Sequence, residues 1–229
     1  MKPEKTILIN GHKHIQFQHE SVSENEMLKR ATTFYNMCNK RRSIRDFSEK
    51  EIPIEVIENL IKTASTAPSG ANKQPWTFCV VKSAEIKHKI RLAAEEEERK
   101  SYAERMSDEW LEDLKHLGTD ANKPFLETAP YLIIVFKKPY EIDAEGKKHP
   151  NYYVNESVGL ACGFLISAIH NAGLVTLTHT PSPMRFLEQI LKRPSNERAF
   201  LVLPVGYPAT ETFVPDIERK KLNAIMNVY

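Results

Sequence analysis

Apolar and polar positions along this chain follow two rhythms. Continuous apolar runs at residues 76–81, 131–136 and 199–205 are bounded by Pro, Gly or polar residues and predict strands covered on both faces. Other stretches repeat every three to four positions. Ser23 and Glu26 form a capping-box pattern ahead of Met27, Ala31, Phe34, Tyr35 and Cys38, which predicts a first helix reaching about Lys40. Pro53 opens a second helix with Ile54, Ile57, Ile61 and Ala64 on its apolar side. Residues 155–171 read as a helix with little polar surface, either central or at a dimer interface, and Gly173 caps it. Residues 174–181 then predict a strand with Thr176, Thr178 and Thr180 on one face, stopped by Pro181. A helix over 183–193 and a basic tail with a short helix over 214–228 complete the elements.

Two segments lack a core-facing side. Residues 1–22 show little periodicity and read as an extended arm. Residues 83–117 are charged, and the run from Glu95 to Lys100 is too polar all round for a core helix, so this segment is expected to be exposed. Tyr102, Trp110 and Leu114 punctuate it, which leaves two readings, a solvated helix or a lid over a ligand. The alternation of helices and apolar strands with irregular connections predicts one α+β domain over 23–229, with a mixed central sheet flanked by helices. The apolar helix near residue 160 adds the expectation of a homodimer.

Composition narrows the function classes. The 229 residues carry 32 basic and 30 acidic side chains, a net charge of +2 that gives no electrostatic footprint for nucleic acid. No window of about 18 apolar residues and no signal-peptide pattern occurs, which predicts a soluble, cytoplasmic protein without a membrane partner. Cys38, Cys79 and Cys162 are far apart, without a C-x-x-C pair, and read as reduced thiols. His12 and His14 lack a third ligand nearby, so no metal is expected.

Candidate chemistry sits at two places. Arg41-Arg42-Ser43-Ile44-Arg45 supplies three guanidinium forks and a hydroxyl, either a phosphate-binding cluster or a solvated basic turn at a helix end. Pro68-Ser69-Gly70-Ala71-Asn72 joins a helix to a strand, where Gly70 permits positive φ or close approach and successive N–H groups can converge on an oxygen.

These two motifs, with Gln74-Pro75-Trp76, the turn Leu203-Pro204-Val205-Gly206-Tyr207-Pro208 and Arg219, resemble the flavin-dependent nitroreductase family. The lid-like segment, with Lys87 to Arg91 and Glu127-Thr128-Ala129-Pro130, is similar to the iodotyrosine deiodinase branch of that family. The resemblance implies a homodimer with FMN at the subunit interface. Cofactor contacts would come from Arg41, Arg42, Ser43, Ile44, Arg45, Ser69, Gly70, Thr178, Thr180 and Arg219. His179, between the two threonines, would touch flavin through its ring or stand there for its backbone alone. Thr180 would be the catalytic residue, donating its hydroxyl to flavin N5 and so favouring one-electron steps. The Ala71 N–H would meet a substrate phenolate, and Glu98, Tyr102 and Lys123, within a lid over about 95–123, would hold the substrate's amino-acid end. The activity implied is reductive dehalogenation of halotyrosine, with NADPH or a separate reductase as electron source, since no G-x-G-x-x-G fingerprint is present. A broad-specificity nitroreductase or flavin reductase is the alternative. Mammalian members carry an N-terminal membrane anchor, whereas this sequence implies a soluble, bacterial-type enzyme.

Overall fold

Strand β4, Tyr131–Lys137, is the most deeply buried element, and its side chains alternate between two cores. The computed structural model describes residues 5–229. β4 pairs antiparallel with β3, Trp76–Val81, on one side and with β8, Arg198–Gly206, on the other. β5, Tyr140–Ile142, and β6, Lys148–Pro150, form a separate antiparallel pair, and the two-residue strand β7, Val175–Thr176, completes a four-stranded sheet in the order β3-β4-β8-β7. Every ladder between these strands is antiparallel, and the mixed character is confined to one parallel bridge between Ser43 and Thr176.

A period of two along β4 and β8 sorts the core into layers. Tyr131, Ile133, Val135, Leu201, Leu203 and Val205 face helices α2, Ile54–Ser65, and α6, Val154–Asn171, which present Ile57, Leu60, Ala64, Ala161, Leu165 and Ile169. Leu132, Ile134, Phe136 and Val202 face the other way, onto Ile90 and Ala94 of α3, Ala84–Lys100, onto Phe125 and Leu126 of the short α5, Phe125–Thr128, and onto Leu187 of α7, Arg185–Ile190. Both faces of the sheet are thus covered, as its continuous apolar strands require.

By contact density, residues 1–40 and 41–229 form separate units. In the first, helix α1, Glu24–Asn39, starts at Ser23, whose hydroxyl accepts from the Glu26 N–H. The arm predicted over 1–22 is more ordered than expected among the described residues. β1, Thr6–Ile9, and β2, His12–Ile15, form an antiparallel hairpin whose turn places Asn10 and Gly11 at positive φ. Asn-Gly is the strongest two-residue hairpin signal, and the short flanking strands concealed it. No described residue of this unit is buried.

The predicted strand over 174–181 breaks after Thr176 and resumes only as a bridge at His179, which exchanges hydrogen bonds of 2.9 and 3.0 Å with Val202. The register to β8 is the same on both sides of the break, so Thr178 and Thr180 still share an exposed side while His179 turns inward. The face predicted to be common to three threonines is kept by Thr178 and Thr180 only, since Thr176 is buried. Among the described residues no helix is long and apolar enough to cross a membrane.

Gly206 ends β8 against the loop into β4, where a Cβ would stand 2.8 Å from Cδ of Pro130 and 2.9 Å from a ring carbon of Phe47. Pro130 cannot retreat without disturbing the first residue of β4. Gly206→Ala is therefore expected to destabilise the fold by about 1–3 kcal/mol, read as a lower urea midpoint at unchanged m-value.

Candidate functional site

The basic cluster does not dissolve into solvent. Arg41, Arg42, Ser43 and Arg45 line a cavity of about 280 Å³ with Pro215, Ile217 and Arg219 of the C-terminal tail and Leu117. The backbone explains why they converge. Ser43 pairs with Thr176, and Ile44 donates its N–H to the Thr176 carbonyl at 3.2 Å, so this segment runs beside β7 as a rudimentary edge strand. Ile44 turns its side chain into the protein and is buried. The tail is tied back by Arg42, which donates to the Pro215 carbonyl, and by Arg219, which donates to the Arg41 carbonyl at 3.0 Å. Four guanidiniums and a hydroxyl around one cavity are a donor set suited to a phosphate.

The loop at 69–74 stores backbone strain. Ala71, Asn72 and Gln74 all have φ near +50°, at 49°, 53° and 47°, a region costly for residues with a Cβ and concentrated at functional sites. Gly70, expected to take positive φ or to allow close approach, serves the second purpose only. A Cβ there would lie 2.8 Å from the Tyr152 carbonyl oxygen and 2.9 Å from the Tyr153 ring. The loop's N–H groups are mostly used internally: Gly70 donates to Ser157 Oγ at 3.3 Å, Asn72 and Lys73 to the Ser69 and Gly70 carbonyls, and Gln74 to Ser69 Oγ at 2.9 Å. The Ser69 and Ala71 N–H groups are the exceptions among the described residues of this loop, and Ala71 is exposed. Ser69 and Gly70 are not among the residues lining the arginine cavity.

Glu98, Tyr102 and Lys123 do meet. Lys123 Nζ lies 3.3 Å from Glu98 Oε2, with their side chains only 5 and 12% exposed, and 5.8 Å from the centre of the Tyr102 ring. The Tyr102 hydroxyl donates to the Thr119 carbonyl at 3.2 Å, and burial pushes its pKa up. The segment predicted to be exposed as a whole is only partly so. α3 turns Ala94 and Glu95 into the protein, because Arg91 lies 2.7 Å from the Glu95 carboxylate and neutralises it. After α3, a π-helical turn at Ser101–Arg105 and α4, Asp108–Lys115, carry the exposed remainder, including Trp110. π turns are frequent where a helix serves a site.

His179 is buried, with its Nε2 lacking a hydrogen-bond partner. Its ring meets Phe125 edge-on at 5.5 Å. Thr178 and Thr180 on either side are exposed. The residues that sequence reasoning missed are Arg91, Glu95, Leu117 and Ser157. The repeat Lys87, Arg91, Glu95 at every fourth position was the available signal for the first two.

The Nitroreductase family model matches residues 39–207. The chain is 62% identical over 204 residues to the iodotyrosine deiodinase of Haliscomenobacter hydrossis, covering 89% of this chain and 92% of that protein. It is 50% identical over 216 residues to iodotyrosine deiodinase 1 of Homo sapiens, covering 93 and 74% of the two chains. The fold matches, at a TM-score of 0.73 and 33% identity, a crystal structure of oxidized iodotyrosine deiodinase bound to FMN and 3-iodo-L-tyrosine, covering 86% of this chain and all of that one.

Burial, reinforced by the charges of Lys123 and Arg45, lowers the His179 pKa from 6.5 to about 3. The unfolded chain takes up this proton near pH ~6.5 and the folded chain does not. Stability from this group is therefore complete above ~6.5 and lost as pH falls toward the folded value. His179→Phe, which keeps a ring against Phe125, is expected to flatten the stability profile between about pH 6.5 and 5, where the wild-type slope is steeper by up to ~1.4 kcal/mol per unit. Urea denaturation across that range checks it, and equal slopes would mean that the folded protein does protonate this imidazole.

Proposed function

The chain belongs to the nitroreductase family, and from that premise we propose that it is an FMN-dependent reductive dehalogenase of halotyrosines, converting iodotyrosine to tyrosine and iodide. The observation that carries this reading is the Glu98–Lys123 pair, two opposite charges 3.3 Å apart and largely out of water, with the Tyr102 ring 5.8 Å from the ammonium. A free amino acid carries the same two charges in the reverse sense. Its ammonium would take Glu98, its carboxylate would take Lys123 and Tyr102, and each protein charge would exchange one partner for another.

The donor set of the arginine cavity fits the phosphate end of FMN. Arg41, Arg42, Arg45 and Arg219 would carry its charge and Ser43 would add a hydroxyl. Ser69 and Gly70, on the strained loop, and Thr178, His179 and Thr180 are assigned to the same cofactor, with the Thr180 hydroxyl as donor toward flavin N5. These groups do not line that cavity within one chain, and a site completed by a second copy accounts for the division. A homodimer is supported by the apolar surface this chain leaves exposed, at Leu160 and Phe164 of α6 and at Leu222, Ile225 and Met226 of the tail. Within the first unit, α1 also has no buried residue, and Met27, Leu28, Phe34 and Tyr35 are exposed.

When bound and reduced, FMN supplies the two electrons that, with one proton, replace the carbon–halogen bond by carbon–hydrogen and release halide. The chain's own residues select and orient. The Ala71 N–H, without an acceptor inside the protein, is free to donate to the phenolate oxygen. A ring halogen lowers a phenol pKa below tyrosine's ~10, so a donor that prefers phenolate prefers the halogenated substrate over its product. The electrons come from NADPH or from a separate reductase.

Two measurements test the reading. Anaerobically reduced holoenzyme is expected to reoxidise its flavin and release iodide on addition of 3-iodotyrosine; a protein that cannot be loaded with FMN, or whose reduced flavin ignores this substrate, would sink it. Glu98→Gln and Lys123→Met are each expected to lower kcat/KM for 3-iodotyrosine by about 10–100-fold, the value of a charged hydrogen bond. Reduction of a nitroaromatic lacking the amino-acid group should change far less. Equal tolerance of both substrates would instead indicate a broad-specificity nitroreductase.

A further inference from the structure

Lys87, Arg91, Glu95 and Glu98 are spaced four, four and three residues apart and therefore form one stripe along α3. Three of the four are spent on the segment that carries Lys123. Lys87 is buried and its ammonium donates to the Glu127 and Ala129 carbonyls at 2.7 and 2.8 Å. Arg91 reaches in two directions, with Nε on Glu95 Oε1 at 2.7 Å and Nη1 on Glu127 Oε2 at 3.2 Å. The same Glu95 oxygen accepts the Lys123 backbone N–H at 2.8 Å. His88 meets the other Glu127 oxygen at 2.6 Å.

Residues 123–129 are thus tied to α3 at both ends, and the tie at the beginning is Glu95. Burial would raise the Glu95 pKa, but the hydrogen bonds from Arg91 and from the Lys123 N–H prevail and hold it below the usual carboxylate range. If these contacts only fastened α5 to α3, an apolar contact of equal volume would serve as well or better, since buried ions lose hydration that their partners do not always return. What an apolar contact cannot do is fix register. Glu95 and Glu98 lie on the same face of one helix, one turn apart. Gripping the Lys123 backbone with the first places its ammonium opposite the second.

We propose that Glu95, held by Arg91, is a positioning residue that sets the separation of Glu98 and Lys123 and so makes the site selective for zwitterionic ligands over phenols without an amino-acid end. The proposal rests on the halotyrosine reading above and adds a residue that touches neither substrate nor cofactor in that scheme.

The test uses the FMN-loaded protein and titrates the oxidised flavin, by its fluorescence or absorbance, with 3-iodotyrosine and with 2-iodophenol. Glu95→Gln keeps an oxygen for the Lys123 N–H but removes the charge that Arg91 grips. It is expected to raise the Kd for 3-iodotyrosine about tenfold while that for 2-iodophenol stays within about twofold. Arg91→Met should do the same, and Arg91→Lys should restore part of the difference. Equal weakening of both ligands would make the clasp a merely structural contact and overturn the proposal, as would no change in either. Should Glu95→Gln fail to hold flavin, the two Arg91 variants supply the same readout. A wild-type protein that binds 3-iodotyrosine no better than 2-iodophenol would overturn the halotyrosine reading itself, and this proposal with it, before any variant is made.

Discussion

The site depends on the burial of β4. A strand that offers apolar side chains to both faces demands a helical layer on each, and the layers leave the sheet edges as the places where backbone can reach a ligand. At one edge β7 is only two residues long, which leaves room for Ser43 and Ile44 to run alongside it. That pairing carries the arginine cluster to the rim of the sheet, where the Arg42 and Arg219 side chains add ties to the Pro215 and Arg41 carbonyls.

Charge is handled differently on the two sides of the site. Around the cavity of Arg41, Arg42, Arg45 and Arg219 like charges are gathered, and such an arrangement is stable only because the cavity is open to water and counter-ions or filled by an anion. Around Lys123 opposite charges are gathered and largely buried. One cation from each group, Lys123 and Arg45, acts on His179, whose pKa is lowered chiefly by burial. A charged imidazole there would add a third cation to two that already repel it. Neutrality at this position spares both Arg45 and Lys123 a further cation.

The fold was largely legible because its signals are local. The apolar runs of β3, β4 and β8 and the Ser23 cap of α1 each declare their element within a few residues. The candidate groupings that the structure assembles could be read where residues cluster in sequence, as at 41–45, or where the family resemblance marks them, as at Glu98 and Lys123. What could not be read was decided by distant partners. Gly70 is required by the approach of Tyr152, which is far along the chain, and the left-handed conformations fell on Ala71, Asn72 and Gln74 instead. The interruption of the threonine strand is likewise set by its pairing to β8. The acidic run from Glu95 looked uniformly exposed because composition alone does not reveal that Arg91 and the Lys123 N–H wait for one of its carboxylates.

The Glu98–Lys123 pair raises the question of why the proposed clamp would be built from ions at all. Burying a glutamate against a lysine gains little net stability, yet removing either partner leaves an uncompensated charge that costs about 3–5 kcal/mol. The pair therefore resists any ligand that would satisfy only one of its members. A phenol bearing a lone carboxylate could engage Lys123 but would strand Glu98, and an amine would do the opposite. On the proposed reading a zwitterion alone would replace both partners at once, so the cost of opening the pair would itself be a filter. Discrimination then arises from the unfavourable state of the half-satisfied site more than from the strength of either contact, and it works only if the two charges are held at a fixed distance.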